Sequence, residues 1–260
     1  EDQNIDFAKI EKAITSKTKV IMPVHLTGRV CAMDKIKKIA KKYNLKIVED
    51  AAQAIGSKYK NKYSGSFGDI ACFSTHPLKN LNACGDGGFL TTNNKSIYEK
   101  AKLLRNHGLK NRNNAETFGY VSRMDTIQAE ILNFRLKNLN SIIKKRRKNA
   151  LYYLSNLNST NVKLPYEKPE EFNTYHTFVI QCKRRDSLKK YLITKGIETG
   201  IHYPVPIHLQ KASKFLNYKL GDFPITELQS KNILTLPINQ YLKNKDLKYI
   251  VKQINQFYEK

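Results

Sequence analysis

The sequence predicts an α/β fold with a parallel sheet, and three segments within residues 19–50 carry the prediction. Residues 19–26 ("KVIMPVHL") form a short apolar run with β-branched side chains, which is typical of a buried strand. Residues 33–44 place apolar side chains at helical spacing, and residues 45–50 ("LKIVED") read as a second strand. A strand, a helix and a strand in this order form the βαβ unit of a parallel sheet.

Further elements follow along the chain. Two short strands are predicted at 69–74 and 88–93, on either side of a glycine-rich loop. An amphipathic helix is predicted over 95–108, ending at a glycine as helices often do. A longer helical pattern covers 124–157, with a break predicted near 138–141.

The character of the chain changes after a segment rich in turn formers, 156–173. The stretch "YHTFVIQC", a helix over 186–195, the stretch "IETGIHY" and a terminal helix over 244–259 together predict a small α+β unit. We therefore expect a large domain in residues 1–150, which includes a bridging helix, and a small C-terminal domain in residues 151–260.

Composition limits the class of protein. The 260 residues are 40% hydrophobic, with 15 Tyr and 11 Phe, which is enough for a substantial core. No apolar stretch reaches the ~18 residues of a membrane-spanning helix, and the polar start "EDQNIDFAKI" does not resemble a secretory signal. Four widely spaced cysteines predict reduced thiols in a cytoplasmic protein and no metal site; they are Cys31, Cys72, Cys84 and Cys182.

The formal net charge of +24 raises the question of a nucleic-acid partner. The lysines are spread over the whole length, and the one dense cluster, "KKRRK" at 144–148, lies inside a helical pattern. No nucleic-acid motif accompanies it. We expect neither a nucleic-acid nor a membrane partner, although the charge could help to attract an anionic substrate.

Three side chains with complementary chemistry follow the predicted strands. Asp50 ends one strand, Ser74 ends another, and Lys79 follows five residues later. Ligands collect at the carboxyl ends of parallel strands, so these groups could converge. An amine for covalent attachment, a carboxylate for a pyridine nitrogen and a hydroxyl for a phosphate suit pyridoxal 5′-phosphate (PLP). Taken singly, each has an ordinary alternative, such as a helix cap or a surface charge.

Five segments, in order, resemble the landmark segments of the DegT/StrS-type (DegT/DnrJ/EryC/StrS) sugar aminotransferases. They are "PVHLTG" (23–28), the stretch from "VEDAAQ" to "CGDGG" (48–88), "LLRNHGLKNR" (103–112), "GYVSRMDTIQAEIL" (119–132) and "IETGIHYPVPIHL" (197–209). The resemblance covers nearly the whole chain. It implies an aspartate-aminotransferase-like (type I) PLP fold, with an incomplete three-layer α/β/α large domain and a small α+β C-terminal domain.

The resemblance also implies roles for four residues at the cofactor. Lys79 matches the catalytic lysine that bonds covalently to PLP, and Asp50 matches the partner of the pyridine nitrogen. Gln53 stands where the family places a glutamine near the ring's 3-hydroxyl. Ser74 matches a phosphate-binding serine. The neighbouring His76 is expected to be a local hydrogen-bond partner.

Two further groups of residues are expected to contribute. Three glycines are expected to let the backbone turn and approach the cofactor closely; they are Gly85, Gly87 and Gly88. The resemblance places three side chains on the substrate side, namely His202, Tyr203 and His208. The alternative for these three is a proline-stiffened loop with packed aromatic rings.

The chain departs from the family's pattern at two places. Val121 stands where many relatives have an asparagine whose amide reaches the phosphate of the partner subunit's cofactor, and a valine side chain cannot donate a hydrogen bond. Relatives also carry further residues before "EDQNIDFAKI", so this chain is expected to be a fragment. The resemblance implies a homodimer whose catalytic pocket is completed by the second subunit.

The activity implied by the resemblance is PLP-dependent transamination of a nucleotide-linked keto-sugar to an amino sugar. Glutamate is the expected amino donor, and polysaccharide or cell-surface glycan biosynthesis the expected setting. Two alternatives remain open. Some relatives are PLP-dependent deoxysugar dehydratases, which carry histidine where this chain has Lys79, and a relative without PLP could serve as a regulatory or binding protein.

Overall fold

The computed structural model describes residues 2–158 and 160–259, which divide into two compact units. The first unit is Glu1–Ile143 with Glu167–His176, and the second is Lys144–Tyr166 with Thr177–Lys260. The two units meet along the chain inside a helix, and residues 167–176 return to the first unit. The domain limits drawn from the sequence, 1–150 and 151–260, stay a prediction.

The first unit contains four helices, the beginning of a fifth, and nine short strands. The helices are α1 (Phe7–Ala13), α2 (Met33–Lys42), α3 (Lys95–Arg105), α4 (Thr126–Leu136) and α5 (Leu139–Asn156), of which α5 continues into the second unit. The strands before residue 144 are β1 (Val20–Ile21), β2 (Lys46–Asp50), β3 (Lys58–Tyr59), β4 (Lys62–Tyr63), β5 (Ile70–Ser74), β6 (Gly88–Thr91), β7 (Leu109–Asn111) and β8 (Asn114–Ala115).

The central sheet of the first unit has the strand order β1-β2-β5-β6. β1, β2 and β5 run parallel, whereas β6 is antiparallel to β5. The predicted βαβ unit is therefore confirmed. The first strand is shorter than predicted because Pro23 has no N–H to donate, but its carbonyl accepts from the Asp50 N–H at 3.0 Å and the pairing continues to that residue.

Helix α2 covers one face of this sheet. It buries Met33, Ile36 and Ala40, which lie at helical spacing, against Ile21 of β1 and Ile47 of β2. An aspartate in its first turn and two lysines in its last turn suit the helix dipole. The predicted helix over 33–44 is confirmed with its end two residues earlier.

The chain forms β9 (Val162–Lys163) in the second unit and then returns to the first unit, where the returning segment adds a strand. This strand, β10 (Glu171–Phe172), pairs antiparallel with β3. A buried ion pair fastens it, because the Arg29 guanidinium lies 2.8 Å from the Glu171 carboxylate and both side chains are 5% exposed or less. Sequence analysis placed this segment among the turns and missed the strand.

The second unit contains most of α5, three further α-helices and a three-stranded antiparallel sheet of order β12-β11-β9. The remaining elements are β11 (Phe178–Cys182), α6 (Arg185–Thr194), α7 (Pro224–Asn232), β12 (Ile233–Leu236) and α8 (Asn244–Glu259). The predicted helices over 186–195 and 244–259 are confirmed, and α7 and β12 were missed. The stretch "IETGIHY" forms only a bridge between Gly200 and Thr235.

The long helical pattern of residues 124–157 is two helices, α4 and α5, separated at residues 137–138 where a break was predicted. All four cysteines are free thiols; Cys31 and Cys182 are buried, and Cys72 and Cys84 are exposed. Within residues 2–158 and 160–259, no helix is both long enough and apolar enough to cross a membrane.

The buried pair of Arg29 and Glu171 gives a stability prediction. Replacing Glu171 with Ala leaves a buried guanidinium without its carboxylate, so we expect the free energy of unfolding to fall by about 3–5 kcal/mol. Urea unfolding would measure it. The control is Glu116→Ala, which breaks the exposed pair with Lys110 and should cost little stability, because water and salt screen exposed pairs. Equal losses in the two variants would contradict the assignment.

Candidate functional site

The three polar residues singled out in the sequence lie at the carboxyl edge of β2 and β5. Asp50 is the last residue of β2 and pairs with Cys72 of the parallel strand β5, which ends two residues later at Ser74. Asp50 and Ser74 are both half-buried. The Asp50 carboxylate accepts from the Ala52 N–H at 3.1 Å, and the Ser74 hydroxyl accepts from the His76 N–H at 3.3 Å.

Lys79 follows β5 in a tight turn, in which its N–H donates to the His76 carbonyl at 2.8 Å. Its side chain is half-buried, and burial lowers the pKa of its amine below the ordinary value. The Asp50 carboxylate opposes this effect by raising the Lys79 pKa, which requires the two charges to lie near each other. The amine and the carboxylate proposed from the sequence therefore share one region of the first unit.

Gln53 lies one turn beyond Asp50 and is oriented by the backbone. Its side-chain carbonyl accepts from the Thr27 N–H at 2.7 Å. Thr27 has φ of 62° and Gly28 has φ of 96°, so two successive left-handed residues aim this N–H at the glutamine. Because the oxygen of the amide is held, its NH₂ end is set on the opposite side.

The glycines of the loop after Lys79 serve close packing. A Cβ on Gly88 would lie 2.6 Å from the Phe73 carbonyl oxygen, and one on Gly87 would lie 2.7 Å from the Thr75 hydroxyl. None of the three glycines at 85, 87 and 88 has a positive φ. The small size of Gly87 and Gly88 lets β6 and the preceding loop pack on β5, whereas a Cβ on Gly85 would make only an ordinary contact with Gln128 at 3.5 Å. The predicted approach of the three glycines to a cofactor stays a prediction.

His76 makes local contacts, as the sequence suggested. Its Nδ1 accepts from the Leu78 N–H at 3.2 Å, and its Nε2 lies 3.9 Å from the exposed carboxylate of Asp86. The ring thus stiffens the turn that carries Lys79.

A buried pair beneath the site was not found from the sequence. The His25 Nε2 and the Glu49 carboxylate are 3.0 Å apart, and both side chains are 0% exposed. The His25 Nδ1 accepts from the Cys31 N–H at 3.3 Å, so the proton resides on Nε2 and is donated to Glu49. The only signal in the sequence was a histidine after one strand and a carboxylate inside the next.

Glu49 binds more than the histidine. Its two carboxylate oxygens also accept from three backbone N–H groups, of Gly65 at 2.8 Å, Phe67 at 2.7 Å and Gly68 at 2.6 Å. Burial raises the pKa of the Glu49 carboxyl, but the hydrogen bonds from His25 and the backbone outweigh it, and the pKa is lowered overall. Glu49 is therefore an ionised anchor for the loop that leads into β5.

The substrate-side candidates lie in the second unit. The His202 Nδ1 is 2.9 Å from the Thr235 hydroxyl, and the Tyr203 ring is exposed. His208 is buried, and its Nε2 lies 3.0 Å from the Glu227 carboxylate, which also accepts from the Gly221 and Phe223 N–H groups. His208 thus holds its own loop together. A role of these residues toward a substrate stays a prediction.

Val121 is 66% exposed, next to Ser122, whose N–H donates to the Arg105 carbonyl at 2.9 Å. The valine side chain supplies no hydrogen-bond donor where the family's asparagine would.

Comparison with known proteins decides the family. Residues 1–255 match the sequence profile of the DegT/DnrJ/EryC1/StrS aminotransferase family. The chain belongs to this family. Solved structures similar to this chain include PLP-bound and PMP-bound forms, and the predicted type I fold of PLP-dependent aminotransferases is confirmed.

Three similar proteins illustrate the membership. A pleiotropic regulatory protein of Geobacillus stearothermophilus is 41% identical over 258 residues, which are 98% of this chain and 69% of that protein. A dTDP-3-amino-3,6-dideoxy-alpha-D-galactopyranose transaminase of Aneurinibacillus thermoaerophilus is 41% identical over 254 residues, again 98% and 69%. The crystal structure of S. venezuelae DesV in complex with a ketimine intermediate superposes with a TM-score of 0.96 at 36% identity, covering 99% of this chain and 70% of that one.

The anchoring by Glu49 gives a prediction with a defined pH dependence. A carboxyl whose pKa is lowered on folding contributes stability above its unfolded value, 4.5, and this contribution is lost as the pH falls through the folded value. Glu49→Gln should therefore lower the free energy of unfolding by about 2–3 kcal/mol at pH 7, and the gap to wild type should narrow in acid. Urea unfolding of both proteins at pH 7, at pH 4 and below pH 4 would measure this difference in the free energy of unfolding.

Glu130→Gln is the control, since that side chain is exposed. We expect it to follow wild type at both pH values. A Glu49→Gln gap that stays constant as the solution is acidified would contradict an ionised anchor.

Proposed function

We propose that this aminotransferase-family chain transfers an amino group to a nucleotide-linked keto-sugar, with PLP as its cofactor. The observation that carries the proposal is Lys79, a half-buried amine with a lowered pKa that follows β5, the parallel neighbour of the strand that ends at Asp50. An ordinary surface lysine has neither feature. The printed activity of the Aneurinibacillus relative, a dTDP-amino-sugar transaminase, supports the substrate class.

The donor set at this edge fits the cofactor. Lys79 would hold PLP covalently, Asp50 would stand at the pyridine nitrogen, Ser74 would bind the phosphate, and Gln53 would donate its NH₂ to the 3-oxygen. The fit rests on the chemistry of this donor set and on the place of Asp50 and Ser74 at the ends of two neighbouring parallel strands, with Lys79 in the turn that follows. When bound, PLP accepts electron density from the bond broken at the donor and stores the amino group between the two half-reactions.

The residues of this chain would supply the proton transfers. The Asp50 carboxylate would keep a proton on the ring nitrogen, because a carboxylate favours the charged form of a neighbouring base. Lys79, once displaced by the amino donor, would take the proton from the donor's α-carbon. Its burial serves this step, since a lowered pKa raises the fraction of neutral amine near pH 7.

Finer features of the proposal concern the partners. Glutamate is proposed as the amino donor, and a homodimer is proposed as the working assembly, with the segments 105–112 and 119–125 as cross-subunit contacts. Val121 would give no side-chain hydrogen bond to the partner's cofactor, so we propose that the neighbouring Ser122 hydroxyl takes this role. His202, Tyr203 and His208 are proposed for the sugar-nucleotide side.

Two variants test the central assignment. Lys79→Ala should abolish the visible absorbance of the bound cofactor. It should also lower turnover by about 10²–10⁴-fold or more, which is what acid–base catalysis contributes. Borohydride reduction of the wild-type protein should fix the mass of the cofactor on the peptide that contains Lys79.

Lys58→Ala is the matched control, because Lys58 is another half-buried lysine of the first unit and is held over the Tyr63 ring. Its absorbance and turnover should stay at the wild-type level. Persistence of the absorbance band with full turnover in Lys79→Ala would overturn the proposal.

The amino donor is tested by single-turnover chemistry. Incubation of the PLP-loaded protein with excess glutamate should release 2-oxoglutarate in an amount equal to the cofactor and shift the absorbance toward that of the amine form. A glutamate-dependent loss of colour without 2-oxoglutarate would favour another reaction. Protein that takes up no PLP at all would favour a regulatory role.

A further inference from the structure

The residue after Lys79 is a buried asparagine. Asn80 is 4% exposed, and its amide NH₂ donates to the Thr174 carbonyl at 3.3 Å. Thr174 lies 94 residues after Asn80, in the segment 171–176, which is part of the residues 167–176 that return to the first unit. The lysine loop is thereby tied to a distant part of the sequence.

Thr174 is itself held firmly at Gly28. The Thr174 N–H donates to the Gly28 carbonyl at 3.0 Å, and the Ser57 hydroxyl donates to the same carbonyl at 2.7 Å. Because the Ser57 proton is used there, the Thr174 hydroxyl is the donor in its 2.9 Å contact with the Ser57 oxygen. Thr174 therefore uses its N–H, its hydroxyl and its carbonyl, all within the first unit.

Gly28 allows this approach and joins it to the glutamine of the site. A Cβ at Gly28 would lie 2.7 Å from the Thr174 hydroxyl and 3.0 Å from the Tyr175 N–H nitrogen, and its φ of 96° suits glycine. The preceding residue, Thr27, donates to Gln53. The backbone of Thr27 and Gly28 thus contacts Gln53 on one side and, on the other, Thr174, to which the Lys79 loop is bound.

The second polar atom of Asn80 gives an independent observation. Its Oδ1 is buried and accepts no hydrogen bond from the residues that the structure describes. A buried acceptor without a partner opposes folding, and an apolar side chain of the same shape would avoid that cost. The amide is therefore explained by what its NH₂ does, which is to hold the Thr174 carbonyl.

We propose that Asn80 and Thr174 are positioning residues for Lys79, which lock the lysine loop onto the segment 171–176 and keep the amine in its half-buried place. This role rests on the proposed function of Lys79. The loop ends are fixed separately, by the Thr75 N–H on the Gly87 carbonyl and the Ala83 N–H on the Thr75 carbonyl. Without Asn80 the loop keeps these ends and loses its buried anchor, so the Lys79 amine gains access to water.

The experiment measures the reactivity of the Lys79 amine in protein stripped of cofactor. Trace acetylation with acetic anhydride over pH 7–11, followed by peptide mass spectrometry, gives the pH of half-maximal labelling for each lysine. Lys62, which is exposed, is the internal reference. In wild-type protein Lys79 should be half-labelled at lower pH than Lys62, because burial lowers its pKa.

Asn80→Ala should raise the half-labelling pH of Lys79 toward that of Lys62, so that the labelling of Lys79 relative to Lys62 falls at every pH below their half-labelling points. Asn149→Ala is the matched control. Asn149 is 5% exposed and its amide likewise donates to a backbone carbonyl, that of Asn239 at 2.8 Å, but in the second unit. It should lose comparable stability and leave the Lys79 labelling profile unchanged.

Thr174→Val keeps the carbonyl that Asn80 needs and removes only the hydroxyl on Ser57, so it should shift the profile in the same direction by a smaller amount. It also keeps the proposal testable if Asn80→Ala fails to fold. A wild-type profile in each folded variant of this pair would overturn the positioning role. Borohydride labelling of a lysine other than Lys79 would instead overturn the proposed function, whatever these profiles show.

Discussion

The buried carboxylate of Glu49 is the constraint on which the arrangement of the site depends. It accepts four hydrogen bonds, one from His25 and three from the backbone at residues 65–68, in a place with no access to water. Those bonds fix the loop that feeds β5 relative to β2. Since Asp50 follows Glu49 directly, and Ser74 and Lys79 follow β5, the same carboxylate sets the positions of the groups on both strands. A buried charge is stabilising only when it is fully hydrogen-bonded, and this one is.

The alternation of side chains along β2 places the buried Glu49 next to Asp50 on the opposite face of the strand. Successive side chains of β2 point to opposite faces, so Glu49 faces the interior while Asp50 faces the site. A shift of one residue in the pairing of β2 with β5 would exchange the two carboxylates. The hydrogen bonds of Glu49 forbid that shift. The second unit uses a similar pair, His208 with Glu227, to hold an irregular loop rather than a sheet.

The sequence predicted what depends on local patterns. The βαβ unit, the break between α4 and α5 and the residues at the strand ends follow from periodicity and spacing, and the family follows from five ordered segments. What escaped prediction depends on contacts between distant residues. Arg29 meets Glu171 across 142 residues, and Asn80 meets Thr174 across 94. The sequence of residues 167–176 looks like a turn-rich linker. It does not indicate that these residues return to the first unit, where they form a strand and contact Asn80.

The amine of Lys79 is subject to two opposing electrostatic effects. Burial lowers its pKa, which favours the neutral form, while the Asp50 charge raises it. Two neighbouring parallel strands bring both groups to one edge of the sheet, because one strand ends at the carboxylate and the other continues through a tight turn to the amine. The buried hydrogen bonds of Glu49 fix the loop before β5, and the buried hydrogen bond of Asn80 ties down the loop after it, so the chain is held on both sides of the strand.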